Sequence, residues 1–392
     1  MKRLRKFLYL FIPFLTQGLM AQEKVNLIQQ MNKVKLTFTL DERGGPSYSI
    51  DYDNKPVVLT SRLGFLLNED RSLFEGFEIR AVDKRIKDET WQPVWGETKS
   101  IRNHYQELII HLAQKSGAHH LLNIVFHVFE DGVAFRYEFP LQPNLKYFIV
   151  SEELTSFHLN GDHKTFWIPG DFDSNEYPYT ISKISEIDNA QRVAASTDIA
   201  VRDAPDRYSV QTPLLMKTAD RLYINIHEAA LINYPAMQLH ADIHSNTFTA
   251  SLVPDPVGNK AYLHAPCSTP WRTVILSDHA AGILESKMIL NQNEPSKIKD
   301  PSWIHPMKFV GVWWELQTGK STWNYTDYPD SLSAGGGLIP NGRHGANTAN
   351  VKHYIDFAAK HHFGGVLVEG WNRGWEDWFG NWKENVFDFT TP

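Results

Sequence analysis

Alternation of apolar and polar residues runs from residue 33 to about residue 290 and constrains the fold more than any other feature. The segment KVKLTFTL places Val34, Leu36, Phe38 and Leu40 on one side of an extended chain, with polar residues between them. Successive side chains of a strand point to opposite faces of a sheet, so this pattern predicts a strand with one buried face. Many such short runs over about 250 residues predict a large antiparallel β-sandwich.

Two hairpins are predicted within this region. NIVFHVFEDGVAFRYEFP contains two alternating runs that meet at Asp131-Gly132, a dipeptide typical of tight turns. ETWQPVWGETKSIRNHYQEL, residues 89–108, is interpreted as a longer hairpin with aromatic cross-strand packing. The alternative for this second segment is a surface that contacts a following domain.

The pattern changes near residue 291. NQNEPSKIKDPSWIHP is polar and contains three prolines, which is typical of a linker. KFVGVWW and GGVLVEGW are near-continuous apolar runs of the kind found in buried parallel strands. Between them, NTANVKHYIDFAAKHHFGG predicts a helix capped by Asn347 or Asn350, with Gly364 as its left-handed C-terminal residue.

This strand–helix–strand unit predicts the opening of a (β/α)8 barrel. A complete barrel takes roughly 250 residues, so residues 307–392 are too few and the chain is expected to be an N-terminal fragment. The predicted organisation is a signal peptide at residues 1–21, a β-domain at 22–290, a linker at 291–306 and an incomplete barrel at 307–392.

The N-terminus predicts export. MKRLRKFLYLFIPFLTQGLMAQ has a basic start, an apolar stretch and Ala21 before a polar segment, which is typical of a signal peptide. Pro13 and Gln17 interrupt the apolar stretch, so no membrane span is predicted in the mature chain. A cytoplasmic anchor helix is the alternative. The expected location is the periplasm.

Charge, cysteine content and motif content limit the partners, the cross-links and the enzyme classes that this chain can have. The net charge is −6 and no basic stripe is present, which argues against nucleic acid as a partner. Cys267 is the only cysteine, so an intrachain disulfide is impossible. Motifs typical of serine hydrolases, nucleotide-binding enzymes and zinc proteases are absent from the sequence.

Tryptophan is concentrated near the end of the chain. Eight of the twelve tryptophans lie within the last 92 residues: Trp303, Trp313, Trp314, Trp323, Trp371, Trp375, Trp378 and Trp382. An indole face offers flat apolar surface to the C–H face of a sugar ring, while its N–H can donate to a hydroxyl. The cluster indicates one wall of a sugar site, and the alternative is packing between barrel and sandwich.

The segment WIPGDFDSNEYPYT, residues 167–180, carries Asp171, Asp173 and Glu176 on a predicted loop. Three carboxylates on a loop can surround a hard cation such as Ca²⁺, which takes several oxygen ligands. The order D-x-D-x-x-E lacks the glycine and the spacing of an EF-hand. A solvated acidic loop without a metal is the open alternative.

His227 and Glu228 are adjacent in a predicted strand. Neighbouring side chains of a strand point to opposite faces, so these two are not an acid–base pair and structural roles are predicted for them.

Seven segments together resemble glycoside hydrolase family 97, in its branch of inverting α-glucosidases from periplasmic starch-utilisation systems. They are ETWQPVWGE, NGDHKTFWIPGDFDSNEY, LYINIHEAALINYPAM, PCSTPWRTVILSD, KFVGVWWELQTGKSTWNYTD, NGRHGANTANVKHYIDFAAKHHF and VLVEGWNRGWEDWFGNWKENVFDF. The resemblance runs from about residue 25 to the last residue. It implies an N-terminal β-super-sandwich followed by the opening strands of a truncated (β/α)8 TIM barrel.

The resemblance also implies site residues. Family α-glucosidases hold an active-site calcium ion ligated mainly by glutamates, and the ligand supplied by the W-I-P-G-D-[FY]-D-x-x-E-Y loop corresponds to Glu176. The first tryptophan of G-V-W-W lines the sugar site and corresponds to Trp313. The family's general acid and base belong to later barrel strands, so no catalytic residue is predicted in this chain. Three further carboxylates are interpreted as support for the pocket wall: Glu369, Glu376 and Asp377.

The predicted function is therefore calcium-dependent hydrolysis of terminal α-glucosidic bonds in starch-derived oligosaccharides, with inversion. The 392-residue chain alone is predicted to be inactive. Two alternatives stay open, a retaining α-galactosidase of the same family and a non-catalytic carbohydrate-binding remnant.

Overall fold

The computed structural model describes residues 24–69, 71–172, 174–190, 205–328 and 332–369. The predicted signal peptide lies outside these residues, as do seven site candidates: Asp173, Trp371, Trp375, Glu376, Asp377, Trp378 and Trp382. The chain divides into two compact units, Met1–Pro295 and Ser296–Pro392, which are described separately. No helix of the described ranges has the length and apolar character needed to span a membrane.

The first unit begins with a four-stranded antiparallel sheet. Its strands are β1 (Val25–Met31), β2 (Val34–Leu40), β3 (Pro46–Tyr52) and β4 (Lys55–Arg62), paired in chain order. Buried residues alternate along β2, where every apolar side chain of the predicted strand is fully buried. The strand prediction from KVKLTFTL is therefore confirmed.

Eighteen further strands, two short α-helices and a 3-10 helix at Ile184–Glu186 lie in the described part of this unit. They are β5 (Phe65–Leu67), β6 (Arg71–Leu73), β7 (Phe77–Trp91), β8 (Ile101–Gln114), β9 (Leu121–Phe129), β10 (Gly132–Phe139), β11 (Tyr147–Glu153), β12 (Ser156–His158), β13 (Lys164–Trp167), β14 (Thr180–Lys183), β15 (Ser209–Gln211), β16 (Leu214–Lys217), β17 (Tyr223–Ala229), β18 (Met237–Asp242), β19 (Thr247–Leu252), β20 (Ala261–His264), β21 (Cys267–Ser268), β22 (Trp271–Ser277), α1 (Ala280–Glu285) and α2 (Met288–Asn291).

These strands form three more antiparallel sheets. The largest has ten strands, in the order β14-β13-β16-β17-β22-β10-β9-β8-β7 with β21 paired to β10. Two four-stranded sheets have the orders β20-β11-β5-β6 and β12-β19-β18-β15. Both predicted hairpins are confirmed, because β9 pairs with β10 and β7 pairs with β8, with Trp91 opposite Ile101. The turn of the first hairpin is Glu130-Asp131, one residue earlier than predicted, because Gly132 already pairs with Phe129.

Aromatic side chains join the first sheet to the ten-stranded sheet. The ring centroids of Phe38 and Phe126 are 6.2 Å apart, and those of Tyr48 and Phe135 are 4.9 Å apart. All four side chains are buried, and burial of apolar surface stabilises a fold by about 25 cal/mol per Å². The predicted β-sandwich is confirmed for this unit.

A buried ionic cluster lies inside the sandwich. Arg272 on β22 donates to both carboxylate oxygens of Glu153, at 2.9 and 2.7 Å, and to Glu228 at 2.6 Å. Burial by itself raises the pKa of Glu153, but Arg272 and neighbouring hydroxyl donors outweigh burial and lower that pKa. Burial raises the pKa of Glu228, and Arg272 offsets only part of this effect. The structural role predicted for Glu228 is confirmed.

Cys267 lies on β21 and is half-buried. Burial raises the pKa of its thiol to about 11.

The described part of the second unit contains a strand–helix–strand arrangement. Its elements are β23 (Phe309–Gly311), α3 (Trp314–Gln317), α4 (Thr348–Lys360) and β24 (Gly365–Leu367). β23 and β24 are parallel, with Val310 opposite Val366. The predicted helix and the predicted parallel pairing are both confirmed.

Details of this unit differ from the sequence-based expectation. Asn347 is the N-cap of α4, accepting from the Asn350 backbone N–H at 3.0 Å. The left-handed residue after α4 is His362, not Gly364 as predicted. Gly364 instead donates its N–H to the Lys308 carbonyl at 2.8 Å. The predicted strand KFVGVWW is also too long, because the chain turns into α3 after Val312.

Candidate functional site

The acidic loop, residues 168–179, joins β13 to β14 in the first unit. These strands pair Trp167 with Thr180 at the base of the loop. Trp167 is buried, and its indole Nε1 donates to the Ser182 hydroxyl at 2.9 Å. The loop therefore begins and ends at fixed points of the ten-stranded sheet.

Two glutamines on neighbouring strands hold the backbone of the acidic loop. Gln211 on β15 donates to the carbonyls of Pro169, at 2.9 Å, and Ser174, at 2.7 Å. Gln238 on β18 donates to the carbonyl of Asp171. Because amide donors cross from two other strands, the loop conformation is set by the sandwich as well as by its own sequence.

Asp171 is buried and stabilises the acidic loop. One carboxylate oxygen accepts from the Ser174 backbone N–H at 3.0 Å, and the other accepts from the Tyr177 hydroxyl at 2.6 Å. A carboxylate with both oxygens engaged inside the loop acts as a structural residue. Asp171 is thus a poor candidate for a metal ligand.

Glu176 is exposed at the surface of the acidic loop. Its backbone N–H donates to the Ser174 hydroxyl at 3.2 Å, and its carboxylate makes no hydrogen bond or ion pair with the described residues. A carboxylate that is open to solvent and free of other contacts can serve as an oxygen ligand.

Calcium takes six to eight oxygen ligands, so the fit of this ion depends on more than one carboxylate. Within the described ranges, no group of three or more His, Cys, Asp or Glu side chains is placed to hold a metal. Among the described residues, the acidic loop therefore offers one open carboxylate, Glu176, and does not by itself form a calcium site.

Trp313, the predicted sugar-binding residue, lies in the second unit directly before α3. It is half-buried, and its ring meets that of Trp323 edge to face, with centroids 4.8 Å apart and planes at 71°. Trp314 is 72% exposed. The two adjacent tryptophans thus differ in environment, and only Trp313 has an aromatic neighbour among the described residues.

Glu315 follows these tryptophans and is only 7% exposed. Its Oε2 accepts from the Ser321 hydroxyl at 3.0 Å and from the Asn350 amide at 2.9 Å, and Lys320 lies 3.5 Å from Oε1. Tyr354 also acts on this carboxylate and lowers its pKa. Burial by itself raises the pKa of Glu315, but these donors outweigh burial and lower it.

Sequence reasoning overlooked Glu315. A glutamate after two tryptophans carries no periodic signal, and its donors come from two separate parts of the chain, Lys320–Ser321 and Asn350. The available signal was the abundance of side-chain donors in KST and NTAN, following an apolar run. Glu369, interpreted as pocket support, is exposed, and that role stays a prediction.

Family comparisons cover both units. Residues 31–295 match the family described as Glycosyl-hydrolase 97 N-terminal, and residues 313–392 match Glycoside hydrolase 97. Both units thus match parts of a glycoside hydrolase, which is a class of carbohydrate-cleaving enzyme. The chain belongs to glycoside hydrolase family 97.

Two curated relatives are α-galactosidases by name. A retaining α-galactosidase of Bacteroides thetaiotaomicron is 24% identical over 400 residues, covering 94% of this chain and 53% of the relative. A probable retaining α-galactosidase of Streptomyces bingchenggensis is 26% identical over 345 residues, covering 86% of this chain and 44% of the relative. The chain spans about half the length of the curated relatives it matches.

A solved structure of higher identity is a family 97 enzyme from Pseudoalteromonas sp. strain K8 in complex with acarbose. It is 34% identical, with a TM-score of 0.74, and the match covers 94% of this chain and 50% of that one. A variant of the same enzyme was solved in complex with panose, with the same identity and coverage.

Proposed function

We propose that the full-length protein, meaning this chain continued to the length of its relatives, is an exported glycoside hydrolase. Its substrate class is starch-derived oligosaccharides, its bond is the terminal α-glucosidic linkage, and its cofactor is Ca²⁺. The observation that carries the proposal is the acidic loop, which engages Asp171 internally and leaves Glu176 open as a ligand.

Sequence identity favours a glucoside over a galactoside. The Pseudoalteromonas enzyme bound to acarbose and panose is 34% identical, whereas the α-galactosidase of B. thetaiotaomicron is 24% identical. Panose is an oligosaccharide of glucose. A retaining α-galactosidase is the second candidate, and the names of the curated relatives support it.

We propose roles for two residues of the chain. Glu176 contributes one carboxylate to the calcium ion, and Trp313 presents its ring to a sugar face. A bound calcium ion supplies positive charge that polarises an oxygen of the substrate or orients water. Residues 307–392 are proposed as the opening of a (β/α)8 barrel, supported by the parallel pairing of β23 with β24 around α4.

The acid and base are proposed to lie in the part of the relatives' length that this chain does not span. In an inverting enzyme, one carboxylic acid protonates the glycosidic oxygen while a carboxylate activates water on the opposite face, and the two stand roughly 6.5–9.5 Å apart. A retaining enzyme uses a nucleophilic carboxylate at roughly 5–5.5 Å instead.

The test is hydrolysis by the full-length protein of p-nitrophenyl α-glucoside and p-nitrophenyl α-galactoside. We expect preference for the glucoside, release of β-glucose as the first product in NMR spectra, and loss of activity with EGTA that calcium restores. Preference for the galactoside would favour the second candidate. Sugar binding without hydrolysis of either compound would favour a non-catalytic carbohydrate-binding protein.

A further inference from the structure

We infer that Glu315 is a positioning residue that fixes the Trp313 ring for sugar binding. The inference rests on the proposed function, because it concerns how the proposed sugar-binding residue is held. It adds a residue to which the sequence assigned no role.

The first step of the argument is the connection from Glu315 to Trp323. Glu315 binds Ser321 twice, since its carboxylate accepts from the Ser321 hydroxyl at 3.0 Å and its carbonyl accepts from the Ser321 N–H at 3.1 Å. Trp323 follows two residues later and supplies the edge-to-face contact to Trp313. Fixing Ser321 therefore limits where the Trp323 ring can lie.

The second step is the connection to α4. Asn350 bridges two groups through its side-chain amide, donating to the Glu315 carboxylate at 2.9 Å and to the Gly345 carbonyl at 3.1 Å. Gly345 N–H in turn donates to the Thr322 carbonyl at 2.8 Å. A side chain at Gly345 would meet the Ser321 hydroxyl at 2.6 Å, so the segments pack without space for a Cβ atom.

The third step is the chemistry of the carboxylate. Every hydrogen-bond partner of the Glu315 side chain among the described residues is a donor: the Asn350 amide, the Ser321 hydroxyl and the Lys320 ammonium group. A glutamine has nearly the same shape, but its NH₂ group cannot accept, so at least one donor loses its partner. The contact of an aromatic ring with a sugar face depends on the orientation of the ring, so a displaced Trp313 ring should bind the sugar less tightly.

The experiment is a double-mutant cycle in the full-length protein, using Glu315→Gln, Trp313→Ala and the combination, with panose as substrate. We expect Glu315→Gln alone to raise KM about tenfold and to change kcat less than about threefold, because the interaction contributes to binding. In the Trp313→Ala background, Glu315→Gln should change KM no further, because coupled residues are not additive.

Gln317→Ala is the matched control, since Gln317 is exposed on the same short helix. It should leave KM and kcat unchanged. If Glu315 only stabilised the fold, its substitution would reduce the amount of active enzyme. The apparent kcat would then fall equally in the wild-type and Trp313→Ala backgrounds and KM would not change, and this result would overturn the inference. If Glu315→Gln does not fold, Ser321→Ala, which removes one donor, replaces it in the same cycle.

Failure of the proposed function is distinguishable from failure of this inference. If the wild-type protein hydrolyses neither glycoside but binds panose, the cycle is measured on panose affinity by tryptophan fluorescence. Unchanged affinity in Glu315→Gln would then overturn the inference alone. Absence of both hydrolysis and panose binding in the wild-type protein would overturn both.

Discussion

At the scale of single residues, the acidic loop contains two carboxylates that share a segment but differ in environment. Asp171 is buried with both oxygens accepting hydrogen bonds, whereas Glu176 is exposed. Sequence spacing could not separate them, because burial depends on donors such as Tyr177 and on where the loop backbone turns. The family resemblance predicted Glu176 as the ligand, and that role stays a proposal.

Glu176→Gln in the full-length protein should weaken calcium binding without affecting folding. The substitution removes the charge of a proposed ligand and keeps its size, and we expect the calcium concentration for half-maximal activity to rise about tenfold or more. Calcium titration of EGTA-treated enzyme measures this change. Glu152→Gln, on an exposed glutamate of β11, is the control and should behave as wild type. An unchanged titration curve for Glu176→Gln would argue against the metal site.

Arg272→Met should destabilise the sandwich strongly at neutral pH. The substitution leaves Glu153 and Glu228 buried without their cation, and breaking a buried pair costs roughly 3–5 kcal/mol. Urea unfolding measures the loss. Arg85→Met, an exposed arginine on β7, is the control and should leave the unfolding midpoint unchanged.

The loss in Arg272→Met should depend on pH. Without Arg272, burial raises the folded-state pKa of both carboxyl groups above their unfolded values, so the folded state binds protons more tightly. Stability of the variant should then increase as the pH falls from about 7.5 to about 5, because protonation removes the unpaired charges. An equal loss at both pH values would show that the ionic cluster is not its cause.

At the scale of elements, local patterns predicted strands and one helix but not how their ends are held. Alternation in KVKLTFTL predicted its strand because a buried face is a local property, and the Asp-Gly signal predicted the β9–β10 hairpin to within one residue of its turn, Glu130-Asp131. The end of α4 was not predictable in the same way. His362 takes the left-handed conformation, while Gly364 packs beside Met307. A Cβ atom added at Gly364 would lie 3.0 Å from the Met307 Cβ. Glycine at position 364 is thus explained by close packing against Met307, which is a tertiary contact, and not by the end of the helix.

Gly170→Ala should displace the acidic loop. An added Cβ atom would lie 2.3 Å from the Ser209 hydroxyl and 2.9 Å from the Gln238 side-chain oxygen. Overpacking of this kind costs about 1–3 kcal/mol, and movement of the backbone would shift Glu176. We expect Gly170→Ala to raise the calcium concentration for half-maximal activity and to lower the melting temperature.

Ser209→Gly is the companion variant for this prediction. It removes the two nearest atoms that the new methyl group would meet. In the double variant Gly170→Ala with Ser209→Gly, the calcium concentration for half-maximal activity should therefore return part of the way to the wild-type value. If Gly170→Ala alone titrates with calcium as the wild type does, the loop conformation is not important for the proposed metal site.

At the scale of the whole molecule, the two units differ in how much core they contain. The first unit has a large cluster of buried apolar side chains drawn from its four sheets. In the described part of the second unit, only Val312, Ala346 and Ala358 are buried hydrophobic residues. Phe309, Ile355 and Phe357, by contrast, are each more than 40% exposed. Two parallel strands and a helix bury too little surface for independent stability.

Residues 22–295, produced alone, should therefore fold cooperatively, whereas residues 296–392 should not. Circular dichroism and urea unfolding of the two pieces measure this difference, with a single sigmoidal transition expected for the first piece. A cooperative transition in the second piece would contradict the expectation. Sequence length and pattern predicted this contrast, since a barrel needs roughly 250 residues and the first unit already contains its sheets.

The Cys267 thiol has a practical consequence for spectroscopy. Burial raises the pKa of this partly buried thiol to about 11, so it should be protonated near neutral pH and react slowly with maleimide dyes, because the thiolate is the reactive species. A second cysteine introduced on an exposed strand would be modified first. Fluorophores or spin labels can thus be attached at chosen positions without first removing the natural cysteine.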